Sequence, residues 1–162
     1  MKKILSLILI IVTVFSLVSC GNKKEIADNS APKTAGKVLS EDFKEKAKEY
    51  TDALSLSEAV SQNSIIPFET VVTEVEEGFL AGFDTEIKGF KEGATIAPMI
   101  GSIPFVGYVF ILEDEADTDD FISILEQNAN LRWNICVEAE EMIAESTENF
   151  VFFVMSNKDL KN

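Results

Sequence analysis

Two apolar runs, residues 94–100 and 105–112, constrain the fold of this chain more than any other feature. Both are rich in β-branched and aromatic side chains, and Gly101-Ser102-Ile103-Pro104 separates them. Apolar runs of strand length on either side of a Gly/Pro loop read as a β-hairpin, or as two strands on a short connection. A second hairpin is expected from residues 142–146 and 150–156, which flank Thr147-Glu148-Asn149. Between the hairpins, Asp117 or Thr118 starts a helix that runs to about Ala129. Phe121, Ile122, Ile124 and Leu125 form its buried stripe. Ile135-Cys136-Val137 is expected to be a short strand.

The preceding third of the chain has a different texture. Ser40 can cap a helix over residues 41–53, whose Lys/Glu alternation suits a solvated face. Ser55-Leu56-Ser57-Glu58 reads as a capping box for a short helix ending near Gln62. Val71, Val72, Val75, Phe79 and Leu80 recur at helical spacing, so the pattern predicts a helix over 70–80 that stops near Gly82, with a strand as the alternative. Helices first, then strand, helix and two strands, indicate an α+β domain: N-terminal helices followed by a small antiparallel sheet of hairpins with one packed helix.

The start of the chain carries an address. Met1-Lys2-Lys3 is basic, and residues 4–18 are apolar except for Ser6, Thr13 and Ser16. This stretch is short for a membrane span but fits the core of a signal peptide. It ends in Leu17-Val18-Ser19-Cys20-Gly21, which resembles the bacterial lipobox. That resemblance implies cleavage between Ser19 and Cys20 and transfer of lipid, with palmitate-type acyl chains, to the Cys20 sulfur. Each buried methylene contributes about 0.8 kcal/mol, so one acyl chain gives reversible attachment while two or three hold firmly. The expected organisation is therefore a lipoprotein signal peptide over 1–19, a flexible basic tether over 20–39, and one acidic α+β domain over 40–162. Residues 22–37 are expected to be disordered and removable.

Charge narrows the functional classes. The 162 residues carry 14 Lys+Arg against 28 Asp+Glu, for a net charge of −14, and contain no His and two Cys. Lacking histidine, the chain has no Ser-His-Asp triad and no His-ligated zinc. Two cysteines cannot supply a disulfide framework. A surface this acidic argues against nucleic acid, whose phosphates need Lys and Arg. The charge is also unevenly placed: residues 20–48 hold seven Lys against five acids, whereas residues 49–157 hold 22 acids against Lys88, Lys91 and Arg132. A basic juxtamembrane segment is attracted to anionic headgroups by about 1 kcal/mol per Lys, while an acidic domain is repelled.

Several residues are candidates for chemistry. Glu115, Asp117 and Asp119 alternate and Glu126 follows at the twelfth position, which echoes a calcium loop. Asp120 stands where such a loop needs Gly, however, and residues 121–126 read as helix. These acids fit a helix N-terminus better, with at most weak divalent binding. Cys136 sits in an apolar triplet and is expected to be a buried structural thiol. Arg132 is the only arginine and Trp133 the only tryptophan. Together they are candidates for recognising a carboxylate or a sugar ring, or for a shielded ion pair beside a buried indole. Ser102 and Pro104 lie in the apolar Gly/Pro loop, a partner-binding surface if it is exposed and a plain hairpin turn if it folds in.

Three segments, Pro98-Met99-Ile100-Gly101-Ser102-Ile103-Pro104-Phe105, Arg132-Trp133-Asn134-Ile135-Cys136 and Val151-Phe152-Phe153-Val154-Met155, resemble uncharacterised small lipoproteins of Gram-positive anaerobes, whose domain has no known function. The resemblance covers residues 79–156 and implies an anchored α+β domain, with no functional residue to carry over. The expected function is a binding or interaction module on the extracytoplasmic face of the cell membrane, attached through Cys20. It needs no cofactor and serves an envelope protein partner. The alternative is a carboxylate-dependent envelope enzyme with a weakly bound divalent ion.

Overall fold

Thr34 begins the first helix. Its hydroxyl accepts the Lys37 amide proton, and α1 runs over Ala35–Lys46. Asp52 caps α2 (Ala53–Ser61) in the same way, accepting from Ser55 N at 2.8 Å. The strands follow: β1 (Thr70–Glu74), β2 (Gly78–Phe79), β3 (Glu86–Ile87), β4 (Glu92–Pro98) and β5 (Phe105–Ile111). A 3-10 turn (Glu115–Asp117) leads into α3 (Thr118–Asn128), and β6 (Glu141–Thr147) and β7 (Phe150–Ser156) close the chain. This computed structural model describes residues 32–134 and 136–161, and Lys33 onward forms one unit.

Five strands make one fully antiparallel sheet in the order β1-β4-β5-β7-β6, and β2 and β3 pair separately. All residues of β5 and β7 are buried, so these central strands have both faces covered. The period-2 alternation sorts their side chains. Val109, Phe152 and Val154 face α1 and α2, where they meet Leu39, Phe43, Leu56 and Val60. Tyr108, Phe110, Val151 and Phe153 face the other way, onto Phe121 and Leu125 of α3, Ile87 of β3 and Phe83. The fold is α+β, with two cores on the two sides of one sheet.

The two hairpins and α3 stand where the sequence indicates. The turn of the second hairpin is Glu148-Asn149, with Glu148 at φ 52°, the left-handed conformation that short hairpin turns require. Other expectations fail: the first helix stops at Lys46 rather than near residue 53, and Asp52, not Ser55, caps α2. The first helix starts at Ala35, not at residue 41, and Ser40 is buried inside it, so residues 35–39 belong to the domain rather than to a tether. Leu39 is fully buried, and Gly36 N donates to Glu141 Oε1 at 2.8 Å. The helix preferred over 70–80 gives way to its alternative, strand: the segment is β1 and β2, Val72 pairs with Ile96, and the β-branched Thr-Val-Val-Thr run prefers the pleat. Of the short strand expected at 135–137, Cys136 lies in a turn and Val137 in a loop, and Ile135 lies outside the described residues.

Candidate functional site

The four ligand-binding candidates sit on two loops that the fold brings together. The β4–β5 loop holds Ser102 and Pro104, and the loop after α3 holds Arg132 and Trp133. The Asn134 side-chain amide donates to the Gly101 carbonyl oxygen and so joins them. Asn130 shapes the second loop: its Oδ1 accepts from Arg132 N at 2.9 Å and its carbonyl from Trp133 N at 3.0 Å. The β4–β5 loop does not fold away. Ile103 packs against the helix-side core, but Met99 and Ile100 are 62% and 65% exposed. An apolar tip therefore projects at the end of the sheet, beside the Arg-Trp loop.

Arg132 finds a carboxylate of its own domain, but in water. Its Nε lies 3.4 Å from Glu138 Oε2, and both side chains are more than half exposed. Trp133 is only partly buried, against the α3-side core. The shielded pair beside a buried indole is thus corrected to an exposed pair, because the turn at Asn130 directs Arg132 outward. Cys136 is exposed rather than buried, for its turn lies outside the sheet. Cys20 lies outside the described residues.

Glu115 and Asp117 occupy the 3-10 turn and Asp119 the first turn of α3, all exposed. Asp114 Oδ1 accepts from Ala116 N at 2.9 Å, so the acid run works as a helix entry. Among the described residues no three His, Cys, Asp or Glu side chains are grouped as metal ligands. No described helix is long and apolar enough to cross a membrane.

Ser102 and Pro104 line a cleft of about 270 Å³ together with Phe68, Asn157 and Leu160. Three others lie in a row between α2 and β1. One of about 260 Å³ is lined by Asp52, Glu74, Glu76 and Glu92 with Lys91. The next, of about 590 Å³, lies between Tyr50, Glu58 and Gln62 on one side and Thr70 and Val72 on the other. A third, of about 390 Å³, continues past Phe68 and Glu69 to Met99. The groups displaced from their ordinary pKa values lie away from this row. Lys37 and Lys44 hold the Glu145 carboxyl below its usual range, burial pushes the Tyr108 phenol up to about 12, and Glu86 raises Lys88. Sequence reasoning missed the row because it preferred a helix over 70–80 and kept the strand only as the alternative. The β-branched run Thr70-Val71-Val72-Thr73 was the signal that could have shown it.

No family model, curated protein or solved structure is significantly similar to this chain.

Proposed function

We propose that this protein is a lipid-anchored interaction module on the extracytoplasmic face of the cell membrane, held through Cys20 and serving an envelope protein partner. The anchor rests on the lipobox-like Leu17-Val18-Ser19-Cys20-Gly21 after its apolar core. The binding role rests on one observation: the Asn134–Gly101 contact sets the exposed Met99–Ile100 tip beside the Arg132-Trp133 loop, an apolar surface with an aromatic and a cationic neighbour. Exposed apolar groups of this kind mark protein contacts. The alternative, a carboxylate enzyme, would have to use Glu74, Glu76 and Glu92 beside Lys91, because Asp52 in that cleft is engaged in capping α2.

Two measurements test the proposal. A fatty-acid analogue fed to cells should label the parent protein and not the Cys20→Ala variant. A photo-crosslinking amino acid at Met99 or Ile100 should give a discrete adduct in the membrane fraction, and one at Ser123 on α3 should not. Equal labelling of the Cys20→Ala variant sinks the anchor. Identical crosslinking patterns at all three positions sink the binding surface.

A further inference from the structure

The two edges of the sheet are finished differently. At β6, Glu145 accepts from Lys37 and Lys44, and Glu141 accepts from Gly36 N, so α1 is clamped along that edge. At β1 no such clamp exists among the described residues. Met99 N donates to Glu69 O and Val75 N to Gly93 O, and the register then assigns Val71 and Thr73 to the bonded pairs with β4. The N–H and C=O groups of Thr70, Val72 and Glu74 consequently point away from the sheet. Unpaired edges are templates for another strand, and proteins usually blunt them with Lys, Pro or a bulge. The sequence Thr-Val-Val-Thr-Glu has none of these.

We propose that the β1 edge takes up an extended basic segment of a protein partner by strand addition, an inference that rests on the interaction-module reading. The free backbone groups supply the ladder, and the clefts between α2 and β1 receive every second side chain. Charge selects the occupant. Glu58, Glu69, Glu74, Glu76 and Glu92 line this row, and none of them is in an ion pair among the described residues. Lys91 is the single base among the lining residues. A segment with Lys or Arg at alternate positions matches both the pleat and the charge. Among the described residues, Lys33 and the lysines of α1 are already paired, Lys33 with Glu41, Lys37 and Lys44 with Glu145, and Lys46 with Asp42. Ala35 N is bonded to Lys158 O and α1 packs on β6 and β7, at the far side of the sheet from β1.

The test uses the full chain in detergent micelles and a fluorescent strand-length peptide of alternating Lys and Val. Binding is expected, weakened at least about tenfold when alternate peptide nitrogens are methylated, and weakened as salt rises. A peptide with Glu in place of Lys should not bind. Val72→Pro removes an outward N–H without touching the β4 ladder and should abolish binding. Should that variant misfold, Glu69→Lys with Glu74→Lys gives the same answer through charge. Binding that tolerates N-methylation, or survives both charge reversals, overturns strand addition. Self-association of the full chain that those reversals abolish would make a second copy the occupant and overturn the choice of a partner. No peptide binding, with the Met99 and Ile100 adducts intact, defeats this inference alone.

Discussion

The Tyr108 hydroxyl donates to the Ala81 carbonyl oxygen at 2.8 Å, tying the central strand of the sheet to the loop after β2. Tyr108 is 1% exposed, and burial raises its phenol to about 12. In the unfolded chain the phenol ionises near 10. A folded value raised in this way means that only the unfolded state loses the proton as pH climbs past roughly 10. The stabilisation is complete below that point and declines between about 10 and 12, by roughly 2–3 kcal/mol in all. Ultraviolet titration should show one tyrosine resisting ionisation until the domain unfolds. Tyr108→Phe should cost about 1 kcal/mol in urea unfolding.

Gly82 carries a second constraint on the same loop. Its φ is +95°, and a Cβ there would collide with Met155 Cε and press on Val106 Cγ1 at 3.3 Å. Gly89 has the same φ with nothing within 4 Å. Gly89→Ala therefore reports backbone strain alone, about 1 kcal/mol. Gly82→Ala adds overpacking and should cost roughly 2–4 kcal/mol. Equal melting temperatures for the two variants would contradict the packing of this loop on β5 and β7.

Glu145 links α1 to β6 through Lys37 at 2.9 Å and Lys44 at 2.6 Å. These bonds depress its pKa, so the stabilisation is present above the unfolded value of roughly 4.3 and is lost as pH falls through the lower folded value. The carboxylate is 27% exposed and the lysines more so, which holds the contribution to about 1 kcal/mol. Glu145→Gln should lose that amount at neutral pH and match the parent once both are acidified below the folded value.

Arg132→Ala should change stability by less than about 0.5 kcal/mol, because its pair with Glu138 is open to water on both sides. Any larger loss in chemical denaturation would mean that Arg132 has packing its geometry does not show. Loss of adducts at Met99 in the same variant, with stability intact, would assign Arg132 to the binding surface.

The hairpins and α3 were legible because local pattern and tertiary role agree there: residues 105–112 and 150–156 are strand formers that become central strands. The start of α1 was not. Ala35-Gly36 has the composition of a linker, and Gly36 suits the helix only because a Cβ would meet Ile143 Cγ1 at 2.9 Å. That reason lies more than a hundred residues away. The helical spacing of Val71, Val72 and Val75 was genuine but served two structures, since Val72 faces the α2 side while Val71 is 44% exposed. At the site, the sequence named both loops. It could not show that Asn134 joins them, nor that Arg132 points into solvent.

The sheet closes along the seam between β5 and β7, where Phe105 meets Ser156 and Ile111 meets Phe150. Each flanking hairpin can form from near neighbours, but the seam must wait for α3 and the loops between them to be threaded. Until then two largely apolar strands lie open as unprotected edges, Phe150-Val151-Phe152-Phe153-Val154-Met155 among them. The same residues that make the finished core also make the half-folded chain sticky toward its own copies. Refolding yield should therefore fall steeply with protein concentration, and recovery after denaturation will be governed by dilution more than by temperature.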